Sequence, residues 1–179
     1  MTGALPREIP TERLLLRRWI AADRDPFADM NADRRVMEHF PSVLTRAESD
    51  AMVERIEAHF ERHGFGLWAV EVRAGSPFIG FVGLSVPAFQ AHFTPCVEVG
   101  WRLAAEHWGH GYATEAARAA VKFGFGELAL KEIVSFTVPE NERSRRVMER
   151  LSMTHDPMDD FDHPTQPDQR RHVLYRLRS

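Results

Sequence analysis

The chain has 179 residues, 44% of them hydrophobic and 27% charged, the proportions of a soluble globular protein with one sizeable core. A net charge of −3 gives no basic field for nucleic acid, and no apolar run approaches the roughly 20 residues that span a bilayer. Cys96 is the only cysteine, which excludes an internal disulfide and a multi-cysteine zinc site.

In chain order, "RLLLRRWI" (13–20) reads as a first strand after the turn signal "IPT". "AADRDPFADMNADRRVMEHF" (21–40) has helical spacing and is closed by Pro41. The stretch from Thr45 to Gly64 is a clearer helix, with Met52, Val53, Ile56 and Phe60 on one face and Gly64 as its stop. The period then changes. "FGLWAVEV" alternates, "FIGFVGLSV" is near-continuously apolar and suggests burial on both faces, and "CVEVGWRL" (96–103) sets Val97, Val99, Trp101 and Leu103 against Cys96, Glu98, Gly100 and Arg102. Ala113, Ala116, Ala117, Ala120, Val121 and Leu128 then mark a helix stripe, followed by a strand "EIVSFTV", a helix "ERSRRVMERL" and a final strand "RHVLYRL". The expected fold is one domain over 1–179, α/β with an antiparallel front half.

The informative segment is "HWGHGYATEA" (107–116). A helix N-terminus leaves backbone N–H groups unpaired and carries about half a positive charge, so it is a ready anion site. Residues lacking bulk just ahead let a phosphate approach the backbone. Gly109, Gly111 and Ala113 read as such a cradle opening the helix of Thr114 and Glu115; a plain turn with Thr114 as cap is the alternative. No Gly-Lys-Ser/Thr follows, and Thr114 stands where a dinucleotide fingerprint needs its third glycine, so both common nucleotide loops are excluded. The nine histidines include no His-Glu-x-x-His motif of a helical metal site, and no metal is expected.

"EVGWRLAAEHWGHGYATEAARAAVKFGF" and "LKEIVSFTVPENERSRRVMERLSM" resemble the GNAT superfamily of N-acetyltransferases, in its RimJ/RimL-like ribosomal-protein branch. The resemblance implies a mixed, mostly antiparallel sheet of six to seven strands with helices on both faces, splayed between 97–103 and 132–138. It implies acetyl-coenzyme A as co-substrate and an amine as acceptor, either a peptide N-terminus or a small molecule, in an enzyme that acts by direct attack in a ternary complex; the cytoplasmic setting is expected from the single cysteine. A homodimer is compatible with it; no nucleic acid or membrane partner is implied. The pyrophosphate would rest on the loop of Trp108, Gly109, His110, Gly111, Tyr112, Ala113 and Thr114, and the pantetheine arm would borrow backbone near Trp101 and Leu103 and the side chain of Asn141. His110 replaces a common lysine, and Asn141 also suits a helix N-cap.

Acetyl transfer to an amine requires a neutral nucleophile, donors for an oxyanion, and a proton for the departing thiolate. The strand N–H near Leu103 is a candidate oxyanion donor. The tyrosine that many relatives place seven residues after the asparagine is Met148 here, so Ser144 is the candidate to hydrogen-bond the coenzyme sulfur, as an acid or only to orient it. A non-catalytic acyl-coenzyme A sensor is the alternative this departure leaves open. Glu98 is the candidate base, unless it is spent in an ion pair with Arg17 or Arg18. Asp156, Asp159, Asp160 and Asp162, in the stretch 155–171, could attract a protonated amine. Ser152 stands where relatives have glycine, and a slightly altered turn is expected there.

Overall fold

The computed structural model describes residues 8–166 and 170–179. Strands β1 (Ile9–Pro10) and β2 (Leu14–Arg17) precede helices α1 (Arg24–Ala32) and α2 (Arg46–His63). Strands β3 (Leu67–Val72), β4 (Gly80–Ser85) and β5 (Glu98–Leu103) follow, then α3 (Tyr112–Gly126), β6 (Glu132–Thr137) and α4 (Glu142–Arg150). Two short strands, β7 (Thr154–His155) and β8 (Phe161–Asp162), lead to β9 (Arg171–Arg178). The sheet order is β1-β2-β3-β4-β5-β6-β9-β7, with β8 on β9, and only β5 and β6 run parallel. The strand count exceeds the expected six to seven because β1, β7 and β8 are two-residue pairings, too short to show alternation.

The helix expected over 21–40 ends at Ala32. Asp33 turns extended there, and its carboxylate takes the Arg35 backbone N–H at 2.8 Å and the Arg35 guanidinium at 2.6 Å. A short acidic side chain thus offers the backbone an alternative to the next helical turn. α2 starts where Thr45 and Glu48 form a reciprocal capping box and stops at Gly64, with φ of 77°. β4 is buried on both faces, as its apolar run suggested. α3 lies close on the sheet because Ala116, Ala117 and Ala120, all fully buried, present almost no bulk.

Neighbouring residues on a strand point to opposite faces. Trp101 reaches Ser144 of α4, whereas Arg102 reaches Asn31 of α1 and Met52 of α2, so helices cover both faces. The face of β5 that carries Glu98, Gly100 and Arg102 is therefore covered rather than solvated. The β5–β6 ladder holds only at Glu98 and Val134. Next along, the Ser135 hydroxyl donates to the Val99 carbonyl at 2.9 Å, doing with a side chain what a strand N–H would do. Beyond that point the two strands part, which is the expected splay.

At the end of α4 the turn is not altered. Ser152 itself adopts φ of 63°; its N–H donates to the Glu149 carbonyl at 2.9 Å and that of Met153 to Met148 at 3.1 Å. These are the two bonds of a Schellman motif, closed by buried Met148 against buried Met153. The serine accepts a left-handed conformation that usually falls to glycine.

Candidate active site

Between β5 and α3 the chain turns through a loop whose shape depends on glycine. Gly109 and Gly111 have φ of 80° and 79°, the left-handed region that side chains resist. A Cβ on Gly109 would meet nothing within 4 Å, so backbone conformation, not lack of room, calls for glycine there. Gly111 is the N-cap of α3 and brings no capping side chain. The N–H groups of Tyr112, Ala113 and Thr114 therefore lack intrahelical acceptors and remain available to an anion. Thr114 is buried and caps nothing, which removes the plain-cap alternative.

The loop is braced from the far end of the sheet. Glu115 accepts from the Thr11 hydroxyl at 2.6 Å, the Arg13 backbone N–H at 2.9 Å and Arg13 Nε at 2.7 Å, while Arg13 Nη1 donates to the His110 carbonyl at 3.0 Å. Burial alone would raise the Glu115 pKa, but those hydrogen bonds hold the carboxyl below its ordinary value. On the inner side, Trp108 Nε1 donates to the Leu103 carbonyl at 2.9 Å and the Arg143 guanidinium lies 4.5 Å above its ring.

Every candidate catalytic or cofactor-binding residue read from the sequence except His110 lines one cleft of 540 Å³. It runs from the α3 N-terminus through the splay to the face covered by α1 and α2. The His110 ring is exposed, stacks on Tyr112 at 5.3 Å and donates from Nδ1 to the Trp108 carbonyl at 2.9 Å. Asn141 fills both roles foreseen for it: it lines the cleft, and its Oδ1 accepts from the Ser144 N–H at 3.2 Å as the α4 cap. Ser144 Oγ accepts from Trp101 Nε1 at 3.3 Å, which leaves its own O–H free to donate. Met148 is buried in the cleft wall and supplies no proton.

Glu98 makes no ion pair with Arg17 or Arg18. Arg17 is held by Asp23 at 2.8 Å and Glu71 at 3.0 Å, and Arg18 by Glu57 at 2.6 Å and Glu61 at 2.9 Å. Among the described residues its one side-chain hydrogen bond comes from the Ser85 hydroxyl at 3.4 Å. With no cation beside it, burial raises the Glu98 pKa to about 8, the Ser85 hydrogen bond only opposing this.

None of the four aspartates of the acidic stretch lines the cleft. Asp159 is engaged by Arg176 at 2.7 Å, Asp160 by His155 at 2.8 Å and Asp162 by Arg171 at 3.4 Å, and Asp156 accepts from the Met158 N–H at 3.0 Å; residues 167–169 of that stretch lie outside the described residues. Trp68 and Phe81 are core, and Phe89 belongs to a second aromatic cluster with Phe93 and Phe161.

Other lining residues escaped the sequence reading. Arg143, Arg146 and Arg150 of α4 border the cleft, and their three- and four-residue spacing on one helix face was a legible signal. Arg102, His163 and His172 line its other end; nothing local marks them, because three distant segments bring them together. Burial, and the neighbouring His172, lower the His163 pKa to about 4, and burial also lowers that of His172. His172 Nδ1 donates to the Arg170 carbonyl at 2.8 Å, so its neutral ring keeps an unprotonated Nε2. Among the described residues no group of three or more His, Cys, Asp or Glu is placed to hold a metal ion.

A splayed mixed sheet with a glycine loop at the helix following its parting strand is the architecture of an acyltransferase. The comparisons agree. The family described as "Acetyltransferase (GNAT) domain" matches residues 13–154, and the chain belongs to that family. The chain is 31% identical over 149 residues to the uncharacterized protein YkkB of Bacillus subtilis, covering 82% of this chain and 84% of that one. Among solved structures, the acetyltransferase from Agrobacterium tumefaciens superposes with a TM-score of 0.80 at 27% identity, covering 100% and 98% of the two chains. RimL, a ribosomal alpha-N-protein acetyltransferase in complex with coenzyme A, shares the fold with a TM-score of 0.75 at 15% identity, covering 96% and 97%.

Proposed function

We propose that this enzyme transfers an acetyl group from acetyl-coenzyme A to an amine, with Glu98 receiving the amine proton. The observation that carries the proposal is one cleft joining the open N–H groups of Tyr112, Ala113 and Thr114 to a carboxyl that has no counter-cation. Acetyl-coenzyme A, when bound, supplies the activated acyl group. The α3 N-terminus, supported by Arg143, Arg146 and Arg150, holds its phosphates, and Asn141 with the strand backbone near Trp101 and Leu103 holds the arm. Ser144 donates its hydroxyl hydrogen to the sulfur, which orients it. A base with a pKa of about 8 is matched to an ammonium whose ordinary value is about 10.4. His172 Nε2 is a second proton acceptor on the same cleft and accounts for residual transfer if Glu98 is removed.

The test is thiol release from acetyl-coenzyme A against N-terminal peptides, amino acids, polyamines and aminoglycosides. Release dependent on an acceptor supports the reading, with kcat/KM rising as pH passes through about 8. Coenzyme A binding by calorimetry with no release across the panel returns the protein to the sensor alternative.

A further inference from the structure

The buried end of the cleft holds a charge that the protein does not neutralise. Arg102 is only 8% exposed and lines the cleft, yet no carboxylate of the described residues pairs with it. Burial accordingly lowers its pKa to about 10, and no opposing charge offsets that shift; the guanidinium is still protonated at neutral pH. Its neighbours are neutral: Nη1 donates to Asn31 Oδ1 at 2.7 Å, and the group lies 4.2 Å from the Phe40 ring centre and 5.4 Å from that of Phe81. Nε is enclosed without a hydrogen-bond partner, and Nη2 makes no hydrogen bond among the described residues. Nε and Nη2 form one edge of the guanidinium fork, whose geometry matches a carboxylate. By contrast Arg17, which ends β2, and Arg18 just after it are both paired with carboxylates. Leaving a buried cation uncompensated is costly unless a ligand completes it.

The floor beside it is open. Glu98, Gly100 and Arg102 share one face of β5, and a Cβ on Gly100 would meet only Glu98 Oε1, at 3.8 Å. The strand therefore presents the proposed base, a side-chain-free gap and an unpaired cation, with the Cα atoms of Glu98 and Arg102 about 13 Å apart. From this placement we infer that the acceptor is an amine that also bears a carboxylate, and that Arg102 is the residue that selects it. The acidic stretch at 155–162 predicted an acceptor site attractive to cations; the buried arginine makes the site selective for an anionic group carried on the amine. The inference deepens the acetyltransferase proposal and rests on it only for the word acceptor.

The experiment has two readouts, the first on the coenzyme A-loaded enzyme and the second with acetyl-coenzyme A as donor. The probes are the twenty amino acids, short ω-amino acids, dipeptides, their amides, and aminoalkyl phosphates. The first readout is the thermal midpoint with each probe, and the second is thiol release. A carboxylate-bearing amine is expected to raise the midpoint where its amide does not, and to be acetylated with kcat/KM about tenfold to a hundredfold above its amide. Arg102→Met, which keeps the stem, should abolish both preferences through KM while coenzyme A affinity is retained; Arg102→Lys should restore part of the preference. Acids that stabilise the wild type but not Arg102→Met, without thiol release, uphold the anion site and defeat the transferase reading instead. Amides equal to acids in both readouts, phosphates preferred over carboxylates, or no probe shifting the midpoint each overturn the inference. If Arg102→Met does not fold, the acid-over-amide comparison in the wild-type enzyme decides alone.

Discussion

The half of the cleft at the α3 N-terminus and the half behind β5 are built from different materials. The first is made of backbone: left-handed Gly109 and Gly111 and the free N–H groups of one helical turn, braced by Glu115. The second is made of side chains drawn from β5, the segment after α1, and the strand β9: Glu98, Arg102, Phe40, His172. On the proposed function the backbone half holds the phosphates of the donor, and its shape tolerates few residues. A side-chain site can change its ligand with one substitution. The division suits an enzyme whose donor is constant and whose acceptor differs between relatives.

The sharpest way to break this division is Glu98→Gln. With the base removed, kcat/KM should fall by about a hundredfold to a thousandfold, with acetyl-coenzyme A binding unchanged by calorimetry, and the rise through about pH 8 should vanish from the profile. Stability should move the other way. A carboxyl whose pKa rises on folding to about 8 binds a proton in the folded state that the unfolded chain has lost, so it weakens the fold progressively as pH climbs from about 4.3 toward 8. Glu98→Gln should therefore raise the melting temperature at pH 8.5 and leave it almost unmoved at pH 4. A loss of stability at pH 8.5 would mean that Glu98 is a structural ion, not a held base.

On the donor side the corresponding change is Gly109→Ala. Space is available for the methyl group, so the cost is that of a left-handed alanine, about 1–2 kcal/mol, paid in the loop. The expected result is a rise in the KM for acetyl-coenzyme A of about fivefold to thirtyfold, with kcat and the acceptor KM little changed. An effect on the acceptor KM alone would erase the distinction between the two halves.

These two sites were unequally legible before the fold was known. Gly109, Gly111 and the alanines of α3 are contiguous, and the backbone conformation they serve excludes most other residues, so a few letters carried the reading. The α2 caps, Thr45 and Gly64, were legible for the same reason. Arg102 was visible only as one of two charged members of an alternating strand, and nothing in β5 says that α1, α2 and Phe40 will close over it. Glu98 was read as a base or an ion-pair partner. The choice depended on Asp23, Glu71, Glu57 and Glu61 occupying both candidate arginines, a fact of tertiary placement. The end of α1 at Ala32 depended on the Asp33 carboxylate capturing Arg35, a local competition that helical spacing does not register.

A smaller effect is expected from the brace. Glu115→Gln removes the charge that Arg13 and Thr11 converge upon, and Arg13 is largely exposed, so screening keeps the loss modest. The KM for acetyl-coenzyme A should rise about twofold to fivefold. Because the folded pKa of Glu115 is depressed, the brace contributes fully above the ordinary carboxylate value and is lost as pH falls below it. Wild type and variant should therefore converge in coenzyme affinity at acid pH, and a constant difference at every pH would assign the effect to packing.

The least of the expected changes tests a position outside both halves. Ser152 completes the Schellman turn of α4 at φ of 63°, and its side chain is exposed while Met148 and Met153 beneath it are buried. Glycine there would relieve a left-handed strain of about 1 kcal/mol, partly offset by the greater freedom of the unfolded chain. Ser152→Gly should raise the melting temperature by about 1–4 °C and leave both KM values alone. The turn sets the end of the helix that carries Asn141, Ser144 and Met148 into the cleft, so a change in the KM for acetyl-coenzyme A would show that the strained serine tunes the donor half from 8 residues beyond Ser144. No change in stability would instead mean that the hydrogen bonds to Glu149 and Met148 already compensate the strain, and that the serine is neutral where relatives keep a glycine.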